Sequence, residues 1–511
     1  MRALISVYDK SGIAALASEL HQLGVDLISS GGTAAAIAAE GIPVTDLAEW
    51  TGFPPMLGHR VVTLHPRIHG GILADRRDPT HLRDLETHHI DLIDIVVGNL
   101  YPFGSDPDAF DHTSSSSAMD LVDIGGPTLL RAAAKNHEYV TVLVDPADYP
   151  AVLGELRQGG GTSMAMRRTL ARKAFAHTAG YDAQIVAWFD GQQASDDLPP
   201  TMHLSLERAQ DLRYGENPHQ AGARYRLGGS PSWWDEVQQH AGVDLSYLNL
   251  FDADAAWRLA HDLGSSPTCA IIKHANPCGV ATADDLATAY QRALACDERS
   301  AFGGIVAFNH PVDEAAVASI EHGAQADVII APGYGDGVVE RLEAKRKNTR
   351  VLTAPPPRQP ALAVRQLSDG FLVQEAHNFS VDPENWSVVT ERQPSTTELA
   401  DAALAWRVCG YVSSNAIVLV KDGVAWGIGA GQQNRVESGQ LAAQKAAGRA
   451  EGGVCASDAF YPFPDGVEAA AAAGVAVVVQ PGGSVNDDAI IAAANELGLA
   501  MLFTGERQFR H

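Results

Sequence analysis

The chain reads as α/β throughout: a doubly wound parallel-sheet domain followed by two related α/β units. Three observations lead there. Short apolar runs alternate with helical patterns from Ala3 to Val144, a polar stretch ending in Pro199-Pro200 follows, and the remainder repeats one order of strand, helix and turn. With 511 residues, 46% of them hydrophobic, the chain can bury more than one core, and its length fits about three domain-sized units.

Ala3-Leu4-Ile5-Ser6-Val7 is the first predicted strand, and Ile13, Leu16, Ala17, Leu20 and Leu23 mark one face of the helix after it. Val25–Ile28 is the next strand, Ala34–Glu40 the next helix, and Ile93–Gly98 and Tyr139–Val144 are further strands. Strands alternating with helices imply a parallel sheet. Gly191–Pro200 reads as a linker, which sets domains at 1–195 and 201–511. In the second part, Ser300-Ala301-Phe302-Gly303-Gly304 leads to Asp327–Gly333, and Ser457-Asp458-Ala459-Phe460 leads to Val477–Gly482. Each has an Ala-Phe element, a helix, an apolar strand and a Pro-Gly turn. This predicts two related units, approximately 201–355 and 361–511, joined near the proline-rich stretch Ala354–Pro360.

Composition excludes some functions. A net charge of -25 and a pI near 5.1 disfavour gripping a nucleic-acid backbone but leave room for one cationic pocket around a small anion. Five cysteines, an odd number with no CxxC spacing, fit a reduced intracellular protein. The sequence runs from Met1 straight into the first strand and holds no apolar stretch long enough for a bilayer, so the expectation is a cytoplasmic protein without a membrane partner.

Polar residues cluster just past predicted strand ends: Lys10, then Ser30-Gly31-Gly32-Thr33, then Asn99 and Tyr101. In a parallel sheet these ends share one edge. Glycines opening a helix present free N–H groups and the positive dipole end to an anion, and Lys10 adds a full charge, so the pattern predicts a phosphate site. An ordinary strand-to-helix turn is the alternative. His65 and His69 have helical metal-ligand spacing, but Pro66, Gly70 and Gly71 argue against a helix there and no carboxylate or cysteine completes a set, so no zinc is expected. Gly125-Gly126-Pro127 predicts a helix start with Asp123 at its mouth. Arg131 and Lys135 share one face of that helix, either as solvated cations or directed into a cleft with the acid.

In the second part, Leu212–Gln220 offers Arg213 and Tyr214 for an aromatic, anionic ligand. The buried run Cys269-Ala270-Ile271-Ile272 ends in Lys273-His274-Ala275-Asn276-Pro277-Cys278-Gly279. A histidine there can move a proton near neutral pH and a lysine can neutralise an oxyanion, placed where open α/β sheets bind ligands. A solvated loop is the alternative.

These stretches, with Thr63-Leu64-His65-Pro66, Asn99-Leu100-Tyr101-Pro102-Phe103, Asp123-Ile124-Gly125-Gly126, Leu130–Asn136, Arg213-Tyr214-Gly215, Asn217-Pro218-His219-Gln220, Gly427–Gln433 and Ser457–Phe460, resemble in order and from Ser6 to His511 one family. It is the bifunctional purine-biosynthesis enzymes with 5-aminoimidazole-4-carboxamide ribonucleotide (AICAR) formyltransferase and inosine monophosphate (IMP) cyclohydrolase activities. The resemblance implies a methylglyoxal-synthase-like first domain that closes formyl-AICAR to IMP. It implies a tandem of cytidine-deaminase-like units without zinc that moves a formyl group from 10-formyltetrahydrofolate to AICAR. It also implies a homodimer with no catalytic metal and room for a structural monovalent cation. Carried onto this sequence, the formyl-transfer residues are Lys273, His274 and Asn276, with Arg213, Tyr214, Asn415, Arg507 and Phe509 around the nucleotide and Asp465 near the folate. For ring closure they are Tyr101, Asp123 and Lys135, with Lys10, Ser30, Gly31, Gly32, Thr33, Arg60, Thr63 and Asn99 for the substrate and its phosphate. Two positions depart from the family: Val62 stands where it usually has a lysine, and Tyr8 where relatives can have a serine. A zinc deaminase fused to a phosphate-binding domain and a non-catalytic nucleotide sensor are the rival readings.

Overall fold

The computed structural model describes residues 1–58, 60–101, 103, 119, 121–192, 198–228, 232–378 and 381–511. The central linker residues 193–197 and Pro102 of the Asn-Leu-Tyr-Pro-Phe motif lie outside the described residues. The chain divides into two compact units, residues 1–207 with 226–230, and residues 208–225 with 231–511.

The first unit holds a five-stranded sheet of order β3-β2-β1-β4-β5, parallel at every pairing. The strands are β1 (Arg2–Val7), β2 (Asp26–Ser29), β3 (Thr45–Asp46), β4 (Ile95–Asn99) and β5 (Thr141–Leu143). Its helices with described bounds are α1 (Ile13–Gln22), α2 (Gly31–Ala39), α3 (Leu47–Thr51), α4 (Pro66–Leu73), α5 (Pro79–Thr87), α6 (Gly125–Lys135), α7 (Tyr149–Gly159) and α8 (Met164–Gln192). Consecutive residues Ala3, Leu4 and Ile5, like Val96 and Val97, are buried, as expected for strands covered on both faces. Burying each such Leu, Ile or Val is worth about 1.5–3 kcal/mol.

Helix α4 corrects the expectation that Pro66 and two glycines forbid a helix. Pro66 occupies the first helical turn, where its missing N–H is not needed, and His65 caps it through Nδ1, which accepts the Arg67 N–H at 3.2 Å. Gly71 serves packing: a Cβ there would stand 2.4 Å from the Asp91 carbonyl oxygen.

The second unit is built on a twelve-stranded sheet; in sequence, the ribbon of β6 (Leu206–Leu212) with β7 (Gly222–Leu227) precedes it, and that of β14 (Leu362–Gln366) with β15 (Phe371–Glu375) lies between its two halves. Its first half comprises β8 (Gln238–Ala241), α9 (Tyr247–Asp262), β9 (Thr268–Lys273), β10 (Asn276–Thr282), α10 (Leu286–Cys296), α11 (Glu298–Ala301), β11 (Gly304–Phe308), α12 (Glu314–His322), β12 (Ala326–Ala331), α13 (Val338–Lys345) and β13 (Arg350–Thr353). Its second half comprises β16 (Ser387–Val388), α14 (Thr396–Cys409), β17 (Ile417–Lys421), β18 (Val424–Gly429), α15 (Arg435–Ala446), β19 (Val454–Ser457), α16 (Asp465–Ala472), β20 (Val477–Gln480), α17 (Asp487–Glu496) and β21 (Ala500–Phe503). The strand order β16-β21-β20-β19-β17-β18-β10-β9-β11-β12-β13-β8 reads the same outward from the central β18–β10 pair, so the halves are a repeat with pseudo-two-fold symmetry.

The repeat is present, but in a different register from the one the Ala-Phe landmark suggests. Phe302 precedes β11, whereas Phe460 follows β19. The equivalent elements are Ala301-Phe302-Gly303-Gly304 and Ala450-Glu451-Gly452-Gly453, each leading into a strand. The helices α9 and α14 share Asp-Ala-x-x-Ala-Trp-Arg, as Asp252–Arg258 and Asp401–Arg407, and Trp257 and Trp406 are fully buried in one core.

Symmetry also decides which edge carries chemistry. Strand β9 runs antiparallel to β11, so its carboxyl end at Lys273 lies beside the amino ends of β11, β12 and β13. The expectation of an ordinary carboxyl-end crevice therefore does not hold for the first repeat. Because β10 and β18 pair antiparallel, that same edge receives the carboxyl ends of β19, β20 and β21 from the second repeat.

Candidate active sites

On this shared edge, the β9–β10 turn carries Lys273, His274 and Asn276. His274 (φ 55°) and Ala275 (φ 57°) are both left-handed, the geometry of a tight two-residue hairpin. Asp252 on α9 holds the turn, its carboxylate accepting the His274 N–H at 3.2 Å and the Ala275 N–H at 2.8 Å. Burial raises the Asp252 carboxyl above the usual range, and these two N–H groups offset only part of the rise. The His274 residue is exposed at the tip. Lys273 Nζ donates to the carbonyls of Phe302 at 3.2 Å and Gly303 at 2.7 Å, which leaves one of its three protons for a ligand.

Asn276 ties the two repeats together. Its Nδ2 donates to the His274 carbonyl at 3.2 Å and its Oδ1 accepts the Ser413 N–H at 2.8 Å. Two residues on, Asn415 directs Nδ2 to the Gln432 carbonyl at 2.8 Å. Ser414 Oγ and Arg435 Nη2 hold the fully buried Asp458 carboxylate, the latter at 2.9 Å. Beyond β21, the Arg507 guanidinium lies 4.4 Å from the Phe509 ring centroid. Phe509 borders a cleft of about 390 Å³ with Arg258, Arg365, His377 and Arg510. The Arg213 guanidinium stands 5.3 Å from the Tyr214 ring, and both act electrostatically on Arg350 at the amino end of β13. Asp465 is exposed at the start of α16, after β19. Lys273, His274 and Asn276 thus share one turn, which Asn276 bonds to Ser413, two residues before Asn415, while Arg213, Tyr214, Asp465, Arg507 and Phe509 share their edge.

In the first unit, the loops past β1, β2 and β4 meet at one edge. Asn99 Oδ1 accepts the N–H groups of Tyr8 at 2.7 Å and Asp9 at 2.9 Å, and its Nδ2 donates to the Asp9 carbonyl at 2.9 Å. The Thr33 hydroxyl donates to the Val7 carbonyl at 3.0 Å and accepts its N–H at 3.3 Å. These two side chains therefore frame the loops. Ser30 is extended and makes no side-chain cap, so the first-turn N–H groups of α2 point outward, and a Cβ on Gly32 would sit 3.9 Å from Lys10 Nζ. Ser30, Gly31 and Val62 line a cleft of about 450 Å³. Arg60 is exposed in the short loop closed by the Met56–Val61 bridge.

A second cluster forms at the amino end of α6. Asp123 Oδ1 accepts the Gly126 N–H at 2.9 Å, and the Asp123 N–H donates to the Tyr181 hydroxyl at 2.7 Å. A Cβ on Gly125 would lie 2.4 Å from Thr63 Oγ1, and one on Gly126 2.2 Å from Asp123 Oδ2, so both glycines permit this convergence. Burial pushes the Asp123 carboxyl up. Tyr101 is exposed and its ring lies 4.6 Å from that of Tyr8. Lys135 is not brought to this cluster: it ends α6, about 15 Å of helical rise from Gly125.

Sequence reasoning missed Asp252 and Tyr181, which hold His274 and Asp123 in place. Asp252 was signalled by the Asp-Ala-x-x-Ala-Trp-Arg repeat, whereas nothing in the order of residues marks Tyr181. Among the described residues no group of three or more His, Cys, Asp or Glu could hold a metal ion, and no helix is long and apolar enough to cross a membrane.

Comparison with known proteins adds a family to this geometry. The family described as AICARFT/IMPCHase bienzyme matches residues 133–445, and the MGS-like domain matches residues 12–128. A protein of Dinoroseobacter shibae named bifunctional purine biosynthesis protein PurH is 47% identical over 526 residues, covering 100% of this chain and 98% of that protein. Proteins of the same name from Cereibacter sphaeroides, 48% identical over 526 residues, and Trichormus variabilis, 48% identical over 512 residues, each cover 100% of this chain and 98% and 99% of their own lengths. The crystal structure of ForH is 39% identical, with a TM-score of 0.34, over 37% of this chain and 98% of its own.

Proposed function

The chain belongs to the AICARFT/IMPCHase bienzyme family, and we propose that its two reactions run at the two polar sites described above, one in each compact unit. It is a bifunctional AICAR formyltransferase and IMP cyclohydrolase of purine biosynthesis. Relatives of that name over the full length favour this reading over a zinc deaminase or a nucleotide sensor.

The Lys273-His274 turn carries the assignment of formyl transfer to the second unit. The AICAR amine is conjugated with its ring and needs a base as it attacks the formyl carbon of 10-formyltetrahydrofolate. His274 takes the amine proton and returns it to the departing folate nitrogen, so the bond to the amine forms as the bond to the folate breaks. The free proton of the Lys273 ammonium faces the developing oxyanion, and Asn276 sets the turn against the second repeat. Arg213, Tyr214, Asn415, Arg507 and Phe509 hold the nucleotide, and Asp465 lies toward the folate.

For ring closure, the carboxamide nitrogen attacks the formyl carbon of the same molecule and the former carbonyl oxygen leaves as water. Attack within one molecule makes positioning the larger part of the task. Tyr101 and Asp123 move the protons. Lys10, Arg60, Thr63 and the N–H groups of Ser30, Gly31, Gly32 and Thr33 take the phosphate, in loops framed by Asn99. Neither reaction is assigned a metal, and a monovalent cation has at most a structural part. We place the boundary between the cyclohydrolase and formyltransferase regions in the linker, at 1–195 and 201–511, in a cytoplasmic homodimer.

Val62 cannot donate a hydrogen bond or carry charge, so either cyclisation needs no cation from this loop or another residue supplies it, and Lys135 is the proposed source. It stands a helix length from Asp123, so its charge acts away from that carboxyl. Lys135→Ala is expected to slow cyclisation of formyl-AICAR far more than Val62→Ala, by about 10²-fold if its charge acts on the transition state. Wild-type cyclisation by Lys135→Ala would leave catalysis to Tyr101, Asp123 and backbone donors. The function as a whole is tested by incubating the full chain with AICAR and 10-formyltetrahydrofolate. IMP is expected, accumulation of formyl-AICAR would remove the cyclohydrolase half, and absence of both would remove the assignment.

A further inference from the structure

The second repeat contains a counterpart of the turn that bears His274, which separates what the fold requires from what the chemistry requires. Asp401, at the place in α14 that Asp252 holds in α9, accepts the N–H groups of Asp422 and Gly423, each at 2.8 Å. Asp422 (φ 51°) and Gly423 (φ 75°) are left-handed, like His274 and Ala275. The preceding lysines correspond as well: a Cβ on Gly303 would lie 3.0 Å from Lys273 Nζ, and one on Gly452 3.0 Å from Lys421 Nζ. Two differences remain. The second turn has Asp422 where the first has His274, and its last residue is a glycine, which adopts the left-handed conformation freely, whereas Ala275 does not. The first turn therefore depends more on its clamp than the second.

We propose that Asp252 is the positioning residue of the formyl-transfer site: by accepting both turn N–H groups it fixes the direction in which the His274 imidazole faces the substrate. This rests on the assignment of His274 as the base. Asp252 lies one layer beneath the turn, 8% exposed, and acts through His274 rather than on substrate. Both carboxylate oxygens are needed as acceptors. Asparagine turns one of them into a donor facing an N–H, which leaves His274 or Ala275 without its partner.

The test uses the full chain and the variants Asp252→Asn, Asp401→Asn, His274→Ala and the Asp252→Asn, His274→Ala double variant. For each, kcat and KM for AICAR in formyl transfer, cyclisation of formyl-AICAR and Tm are measured. Asp252→Asn is expected to lower the formyl-transfer kcat about 10²-fold, with KM for AICAR changed less than about threefold, because misdirection acts on the transition state. Asp401→Asn weakens the equivalent clamp of the second turn and lowers Tm, but keeps that kcat within about threefold. In the His274→Ala background, Asp252→Asn costs little more, since both act through one group. A folded Asp252→Asn enzyme with wild-type kcat beside an impaired His274→Ala overturns the proposal, as does an equal loss in Asp252→Asn and Asp401→Asn. A His274→Ala enzyme with wild-type formyl transfer instead overturns the base assignment itself. If Asp252→Asn does not fold, it is measured with Ala275→Gly, which relieves the turn: a kcat loss there supports the proposal and full activity refutes it.

Discussion

Replacing His274 with alanine lowers formyl transfer about 10²–10⁴-fold and leaves cyclisation of formyl-AICAR near wild type. The size follows from losing the group that removes the amine proton as the nitrogen attacks. The selectivity follows from the fold. His274 is exposed at the tip of the β9–β10 turn, and that turn is held by backbone N–H groups on Asp252 and by Asn276, not by the imidazole. Lys273 keeps its two carbonyl partners in the variant. Folding is therefore preserved, and steady-state formylation and cyclisation assays on one preparation, with Tm as the control, check the claim. Equal loss of both activities in a folded variant would contradict two independent sites.

Asp123→Asn does the reverse: cyclisation falls about 10²–10⁴-fold and formyl transfer is retained. Asparagine keeps an oxygen that can accept the Gly126 N–H, so the amino end of α6 stays capped, and the backbone bond to Tyr181 is untouched. What disappears is a carboxyl able to give and take a proton. Burial raises the pKa of that carboxyl, so its protonated form persists to higher pH than in a solvated aspartate. The pH profile of cyclisation is expected to contain an ionisation above the ordinary aspartate range that vanishes in Asp123→Asn. A profile unchanged by the substitution would move the proton-transfer role to another group.

How much of this was legible in the sequence depended on whether neighbours in the chain supplied the signal. The runs in β1, β4 and β9 announced themselves because both faces of each strand are covered, so nearly every residue is apolar. Strand β3 did not, since its two residues, Thr45 and Asp46, are exposed. Helix α4 was hidden because proline interrupts a helix in its interior but suits its first turn. Helix α8 buries Leu170, Ala171, Ala174, Thr178 and Tyr181, a stripe too small and mixed to stand out. The glycines at 125 and 126 marked a helix start, but their closeness to Thr63 and Asp123 is a matter of packing that spacing does not encode. The sequence misleads about the edge of the large sheet because strand direction is set by pairing partners far away in the chain: only the antiparallel β18–β10 pair puts the end of β9 at Lys273 and the start of β17 after Asn415 on one edge. Asp252 lies 22 residues from His274, and its meaning appears only when the hairpin returns to it.

The central claim is that two separate sites act in sequence on AICAR. It is tested most directly by supplying AICAR and 10-formyltetrahydrofolate to His274→Ala and Asp123→Asn enzymes, singly and mixed. Singly, His274→Ala leaves AICAR unformylated and Asp123→Asn accumulates formyl-AICAR. Mixed, the intermediate released by the second variant is closed by the first, and IMP appears. IMP at the wild-type rate from either variant alone, or none from the mixture, would contradict the account.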